Sequence, residues 1–531
     1  MFKGSVIDRT DYFILIIQGV VKMHRESKKI ELLPDEKWWG GRVSDGLLMP
    51  FGKENFETDL SLDLGGNQAC PLLLSTKGRF VWSEEPFSFK FEDHLLIVSE
   101  TAKIEFGSGF NNLRDVYRHV SATYFPPSGN LPEEQLFTAP QYNLWIELLY
   151  EPTQTKVLSY AHSVLEQGFP PGVIMIDDNW HEPYGTWKFH SGRFPDPKSM
   201  VDELHGMGFK VMLWVCPFIS PDSLTFREVE KKGYLLKDVS GQTAIRRWWN
   251  GYSSCLDLTN KESVSWVYEQ LDFLQTHYGI DGFKFDAGDL PFYENTDQSA
   301  ELATRNDHCE AWGKIGLRYK LNEYRACWKL AGQPLVQRLK DKDHSWDGNG
   351  LESLIPHALA QGLMGYSFTC PDMIGGGEYQ NFLANSDKLD PELFVRYAQC
   401  SALFPMMQFS AAPWRVLDDE HLAYCLEAAK LHTELGQEIL ELATESARSG
   451  EPILRHLAYT YPNQGYEVIK DQFLLGDTIM VAPVLTKGAR TRTIQVPPGT
   501  WNGDDGSQIQ GPCSVKIDVP LSRLPWYRKE V

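Results

Sequence analysis

This chain of 531 residues has no basic run, no long apolar run and no C-x-x-C spacing. Each absence excludes a class of function. Lys and Arg number 51 against 71 Asp and Glu, giving a net charge of −20 and a pI near 5.2. A nucleic-acid partner draws most of its affinity from clustered cations, so none is expected. The nine cysteines (Cys70, Cys216, Cys255, Cys309, Cys327, Cys370, Cys400, Cys425 and Cys513) are scattered and odd in number. Neither a disulfide framework nor a zinc site follows from them; reduced, mostly buried thiols do. The apolar run Tyr12-Phe13-Ile14-Leu15-Ile16-Ile17 is short, follows Asp8, Arg9 and Asp11, and lacks a small-residue cleavage site. It predicts a strand rather than a signal peptide or a membrane span, and hence a soluble protein with no membrane partner. The compartment stays open: cytoplasmic as the chain stands, periplasmic or secreted if a leader was removed. No Asn-x-Ser/Thr sequon occurs, which disfavours a eukaryotic secretory glycoprotein.

What is present begins with size. A chain this long divides into two to four domains, each able to bury a core. Aromatic residues make up 12%, with 16 Trp, and flat aromatic faces suit the C–H faces of sugar rings as well as ordinary cores. From residue 1 to about 138, short alternating segments such as Phe80-Val81-Trp82 and His94-Leu95-Leu96-Ile97-Val98 are divided by Gly, Pro, Asn and Asp. That texture predicts a β-sandwich. From 139 the pattern becomes apolar runs alternating with amphipathic stretches, the signature of βα units and a parallel sheet. Eight runs can be counted, at 143–149, 172–177, 210–216, 282–287, 334–339, 366–371, 405–410 and 452–457. Eight closes a (β/α)8 barrel. The expectation is an α/β fold: an N-terminal β-sandwich (1–138), a catalytic TIM barrel (139–457) with insertions after strands three and four, and a small C-terminal β domain (458–531).

The charges at the strand ends point to a site. Gly282-Phe283-Lys284-Phe285-Asp286 is an apolar strand ending in a lysine and a carboxylate, where barrel enzymes place their chemistry. Lys284 there can hydrogen-bond substrate and hold Asp286 ionised, as a nucleophilic carboxylate requires. Ile176-Asp177-Asp178-Asn179-Trp180 ends the second run, and paired carboxylates accept hydrogen bonds from sugar hydroxyls. After the run 334–339 comes Arg338-Leu339-Lys340-Asp341-Lys342-Asp343-His344-Ser345-Trp346-Asp347, and spacing alone does not choose among its aspartates. Cys370-Pro371-Asp372-Met373-Ile374-Gly375-Gly376-Gly377 supplies glycines that admit a close backbone approach or a turn.

Lys284-Phe285-Asp286, Arg193-Phe194-Pro195-Asp196-Pro197-Lys198, Cys370-Pro371-Asp372-Met373-Ile374-Gly375-Gly376 and Phe473-Leu474-Leu475-Gly476-Asp477 with Ile479-Met480-Val481-Ala482-Pro483-Val484 together resemble glycoside hydrolase family 31. The likeness runs in one order from about 140 to 490. It implies a retaining, exo-acting α-glycosidase working through a covalent glycosyl-aspartate, with an oligosaccharide substrate and no metal or organic cofactor. By position, Asp286 is the nucleophile. Aligning the helix start Ser353-Leu354-Ile355 without a gap puts the acid/base on Asp343, with Asp341 and Asp347 as alternatives because the W-x-G-D-N signature is absent. A retaining pair lies about 5–5.5 Å apart. Carried-over substrate contacts are Asp177, Asp178, Trp214, Trp249, Lys284, Arg338 and Asp372, with Trp214 and Trp249 equally readable as core.

Members acting on glucose carry a Trp-x-Asp-Met-Asn-Glu type strand and an Arg-x-His pair; here Lys284-Phe285-Asp286-Ala287-Gly288-Asp289 and Gln408-Phe409-Ser410 stand instead. The paired aspartates are similar to those of retaining α-galactosidases, so the expected substrate is an α-galactoside, ahead of α-glucoside or α-xyloside. A site built around an axial 4-hydroxyl leaves buried groups unpaired when the equatorial epimer binds. Two readings of another class remain: a non-catalytic carbohydrate-binding protein, and a metal-dependent barrel lyase or aldolase using Asp177, Asp178 and His181. A homo-oligomer is left open.

Overall fold

A computed structural model describes residues 14–17, 20–23, 27–62, 68–99 and 103–530, with side chains from residue 27 onward. Eight parallel strands form the central sheet: Gln141–Asn143, Val173–Ile176, Lys210–Val215, Gly282–Phe285, Leu321–Tyr324, Gln337–Arg338, Thr369–Cys370 and Gln408–Phe409. The first pairs with the eighth, and a single parallel bridge from Met373 to Gln408 brings the seventh to the eighth, so the barrel is nearly closed. Val173–Ile176 is buried throughout because helices cover the outside. Those helices start where the chemistry dictates. Asp196 and Asp390 cap Pro197–Gly206 and Pro391–Ala402 with their side chains, each followed by a proline whose missing N–H is not needed there.

The count of eight holds, yet three of its members differ from the sequence pattern. The run 143–149 meets the first strand, Gln141–Asn143, only at Asn143, and Trp145–Leu148 within it is helical. Leu321-Asn322-Glu323-Tyr324 is the fifth strand and was invisible to a search for apolar runs, because Asn322 and Glu323 are polar and fully buried. The run 452–457 is not a barrel strand: Leu454–Arg455 pairs with Phe473–Leu475 in the C-terminal sheet. The run 334–339 is therefore strand six rather than five, reached from strand five without a helix between.

Ahead of the barrel lie two antiparallel four-stranded sheets. They pack face to face; at Gly41, where φ is +85°, an added Cβ would stand 3.0 Å from the Phe89 ring of the other sheet. In that layer Phe51 stacks on Phe56 and Phe91, and Phe89 meets Phe91 edge to face. Ile14–Ile17 pairs with Val20–Met23 as a strand, whereas Tyr12 and Phe13 lie outside the described residues. After the barrel, a six-stranded sheet encloses its own core around Leu474, Met480, Ile494, Trp501 and Tyr527. Eight cysteines are buried and Cys513 is half-buried, all as free thiols. No helix among the described residues is long and apolar enough to cross a membrane.

Candidate active site

The interior of the barrel is polar where aliphatic layers would be ordinary. Gln141, Asn143, Lys284, Glu323, Arg338 and Gln408 are all buried. Gln408 donates to Glu323 Oε2 at 2.7 Å and to Gln141 Oε1 at 2.9 Å, and Arg338 Nε lies 3.4 Å from Glu323 Oε1. Buried charge at this density is costly unless paired, and it is paired here in a column that rises to the C-terminal ends of the strands. There it opens into a pocket of about 360 Å³, the small end of the range for ligand sites.

Asp286 ends strand four on the pocket floor. Its Oδ2 accepts the Trp214 indole N–H at 2.7 Å, and its Oδ1 accepts the backbone N–H of Ala287 at 2.8 Å. Burial alone would raise this carboxyl, but the charges of Lys284 and Arg325 and the Trp214 hydrogen bond hold it below the usual carboxylate range. Lys284 Nζ donates to Asp177 Oδ2 at 2.7 Å. Burial would lower the lysine; its carboxylate neighbours, Asp177 first, leave it raised. The adjacent Asp178 accepts from Tyr184 Oη at 3.0 Å and from Asn250 Nδ2 at 2.6 Å. Burial and the Asp177 charge push its carboxyl up to about 7.

The loop after strand six brings Asp341 into the pocket, at the place expected of Asp343. Asp341 Oδ1 is 2.8 Å from Arg338 Nη1, and its Oδ2 is 3.8 Å from Arg325 Nη1. The same Arg325 places Nε 3.9 Å from Asp286 Oδ1 and 2.8 Å from Asp289 Oδ2. One guanidinium thus lies between the two pocket carboxylates. Asp343 stands outside the pocket. The chain turns there, the Asp343 N–H donating to Asn349 O and its carbonyl accepting from Ser345 N, so the gap-free alignment runs two residues past the carboxylate that faces the site. Asp347 is exposed and accepts from Ser345 Oγ. Between Asp341 and Asp343, Lys342 turns the other way, wholly buried, with Nζ on Ser353 and His357.

Asp177, Asp178, Trp214, Trp249, Lys284, Asp286 and Arg338 all line the pocket. Trp214 is buried there as a donor to Asp286, whereas Trp249 sits 43% exposed on a hairpin turn with the Arg325 guanidinium 5.2 Å from its ring. Asp372 does not line the pocket; it stands behind Arg338, accepting from Nη1 of that arginine and from Lys342 N. The glycines that follow serve the scaffold: at Gly376, with φ +106°, an added Cβ would stand 2.8 Å from His344 N and 2.9 Å from Lys342 O, so the strand-seven loop packs against the Asp341 loop. Arg325, Trp145, Tyr150, Met373, Glu378, Tyr379 and Gln380 complete the lining and were not among the candidate site residues read from sequence. Arg325 followed the strand that polarity hid. His181 packs among Trp180, Tyr184, Trp187 and Trp214, and no cluster of three His, Cys, Asp or Glu side chains suited to a metal exists among the described residues.

Comparison with known proteins accords with this geometry. The glycosyl hydrolases family 31 TIM-barrel domain profile matches residues 137–331, and the family's C-terminal domain profile matches 450–530. The chain belongs to glycosyl hydrolase family 31. Among curated proteins, the myogenesis-regulating glycosidase of Mus musculus is 32% identical over 77% of this chain and 58% of that protein. The sulfoquinovosidase of Escherichia coli (strain K12) is 27% identical over 65% of this chain and 53% of its own. The chain spans about half the length of these curated relatives. A family 31 α-xylosidase from a soil metagenome, solved with xylose, superposes with a TM-score of 0.81 over 98% of this chain and 81% of that one, at 20% identity. That likeness is one of fold.

Proposed function

We propose that this chain is a retaining α-glycosidase with Asp286 as nucleophile and Asp341 as acid/base, and that its preferred substrate is an α-galactoside. The observation that carries the reading is the placing of both carboxylates against the single Arg325 guanidinium in one pocket. Asp286, held ionised and aimed by Trp214 and Ala287, attacks the anomeric carbon. The glycosidic C–O bond breaks, its electron pair goes to the leaving oxygen, and Asp341 supplies the proton. Water then gives a proton to Asp341 while its oxygen attacks the anomeric carbon and releases Asp286.

The electrostatics favour the exchange of roles. The negative charge of Asp286 pushes the Asp341 carboxyl up, towards the acid form, whereas Arg338 and Arg325 pull it down. Forming the ester removes the Asp286 charge, so Asp341 becomes the base that the second step needs.

Galactose is favoured by Asp177 and Asp178, which stand side by side with Lys284 at one end of the pocket and can receive hydroxyls of the sugar. A sulfonated sugar fits less well. Among the described lining residues each cation is committed: Lys284 to Asp177, Arg338 to Asp341 and Asp372, Arg325 to Asp289. The test is release of p-nitrophenol from aryl α-galactoside, α-glucoside and α-xyloside by the natural chain and by Asp286→Ala, Asp341→Asn and Asp343→Asn. Turnover confined to the galactoside and abolished in Asp286→Ala is expected. Asp341→Asn should lose roughly 10²–10⁴-fold on an unactivated disaccharide and less on the aryl glycoside, whose leaving group needs little protonation. Loss in Asp343→Asn with Asp341→Asn active would reverse the acid/base assignment. Turnover of the glucoside or xyloside would replace the sugar, and no turnover would favour a carbohydrate-binding protein.

A further inference from the structure

Between strands three and four the chain forms an antiparallel hairpin, Ile245–Trp248 with Gly251–Cys255, whose two-residue turn is Trp249-Asn250. Trp248, behind the turn, is buried against Phe218 and Tyr184 and anchors the hairpin base. The turn itself is open to solvent, Trp249 being exposed and Asn250 half-buried. Trp249 packs against Phe292 and the Arg325 guanidinium, and the side-chain hydrogen bonds of the turn all run through Asn250. Asn250 Nδ2 donates to Asp178 Oδ2 at 2.6 Å and to Tyr184 Oη at 2.7 Å, while its Oδ1 accepts from Tyr150 Oη at 2.9 Å. Tyr150 is in turn fixed through its carbonyl, which accepts from Asn179 Nδ2 at 2.6 Å. Loops following barrel strands one and two therefore meet the hairpin tip at a single amide.

The neighbouring turn residue faces the chemistry. Trp249 lies under the Arg325 guanidinium at 5.2 Å, and Arg325 stands between Asp286 and Asp341. A chain of contacts thus leads from Asp178, at the sugar-reading end, through Asn250 and Trp249 to the guanidinium between the two carboxylates. We propose that Asn250 is a positioning residue that latches the hairpin tip over the pocket through Asp178, and so couples the sugar-reading carboxylate to the placement of Trp249 and Arg325. A side chain that can donate to Asp178 and accept from Tyr150 at once is required; an amide does both. The catalytic consequence rests on the glycosidase reading above, whereas the latch itself does not.

Asn250→Asp tests it without changing side-chain volume. The new carboxyl still accepts from Tyr150 but meets Asp178, whose own carboxyl is already pushed up to about 7 and is raised further by a second carboxylate, so the pair lacks a shared proton only in alkaline solution. The charged and titratable groups around that contact are Asp177, Lys284, Asp286, Arg193, Cys216, Tyr184, Tyr150 and Tyr379; neither cation among them pairs directly with Asp178 Oδ2, Lys284 being held by Asp177. The tip should therefore open at pH 9 and close again near pH 5, where the two carboxyls share a proton. Hydrogen–deuterium exchange across residues 245–255, corrected for intrinsic rates, should be faster than in the natural chain at pH 9 and equal to it at pH 5. Asn250→Leu should exchange faster at both. For turnover of the preferred aryl glycoside, kcat/KM of Asn250→Asp relative to the natural chain at the same pH should fall on the order of tenfold to a hundredfold at pH 9 and recover at pH 5, with no recovery for Asn250→Leu. Natural exchange in both variants, or equal protection loss at both pH values in Asn250→Asp, would overturn the latch. If the natural chain turns over none of the glycosides, the glycosidase reading falls while the exchange data still decide the latch.

Discussion

Arg338 Nη1 stands 2.8 Å from Asp341 Oδ1, and that pairing sets the proton affinity of the proposed acid. Burial would raise the Asp341 carboxyl, but the Arg338 and Arg325 charges outweigh it and hold the group below the usual carboxylate range. Asp341 can donate only when protonated, so kcat/KM for an unactivated glycoside should fall as pH rises through its pKa. Arg338→Lys keeps a cation for the buried Glu323 and Asp372 but loses the planar fork that reaches Asp341. The falling limb should then move to higher pH by about one unit. A pH–rate profile that leaves the limb in place, or moves it towards acid, would remove Asp341 as the proton donor.

Trp214 does for Asp286 what Arg338 does for Asp341. With Trp214→Phe the indole donor is lost from Oδ2, and the Asp286 carboxyl, already working against burial, rises. A hydrogen bond to a charged group contributes about 1.5–3 kcal/mol, so kcat should drop by roughly tenfold to a hundredfold. The rising limb of kcat/KM should also shift to higher pH, since the nucleophile must be ionised. Loss of melting temperature with an unshifted limb would assign Trp214 to packing alone.

How far the sequence foretold all this depended on polarity. Strands two, three and four were legible because both faces are covered and their residues run apolar until the last position, where Asp177 and Asp286 stand out by contrast. Strand five inverted that logic. Glu323 fills the barrel axis, hydrogen-bonded by Gln408 from strand eight and ion-paired with Arg338 from strand six, and no local pattern announces partners 85 and 15 residues away. Losing strand five cost Arg325, the residue that touches both carboxylates. Asp341 rather than Asp343 lines the pocket because the loop turns at Asp343, whose N–H donates to Asn349 O, and spacing does not encode that turn.

The Lys284–Asp177 pair lies inside the barrel mouth, with both side chains at most 5% exposed. Lys284→Met leaves Asp177 without its counter-charge, and breaking a buried pair from one side costs about 3–5 kcal/mol. Because the Lys284 pKa is raised, the stabilisation is fully present at neutral pH and is lost only as pH rises through that folded-state value. Urea unfolding at pH 7 should show the deficit. Lys284→Met combined with Asp177→Leu should regain most of the stability but none of the activity; a double variant as unstable as the single one would mean that the pair is not what the deficit measures.

Gln68 carries the N-terminal sheets into the site, its Nε2 donating to the backbone carbonyls of both Arg325 and Arg338. These are the two arginines that restrain Asp341, so a residue more than 250 positions away in sequence governs the proposed acid through main-chain placement alone. Gln68→Glu keeps the shape and presents an acceptor to two acceptors. Its loss of stability should be about 1–3 kcal/mol, from two buried carbonyls left unpaired and the added charge. The decisive readout is kinetic. If Gln68 positions the arginines, the falling limb of kcat/KM should move to higher pH as it does in Arg338→Lys, because both guanidinium charges drift from Asp341. A variant that is merely less stable, with its limb unmoved, would confine Gln68 to joining the sheets to the barrel and leave Asp341 governed from within the barrel itself.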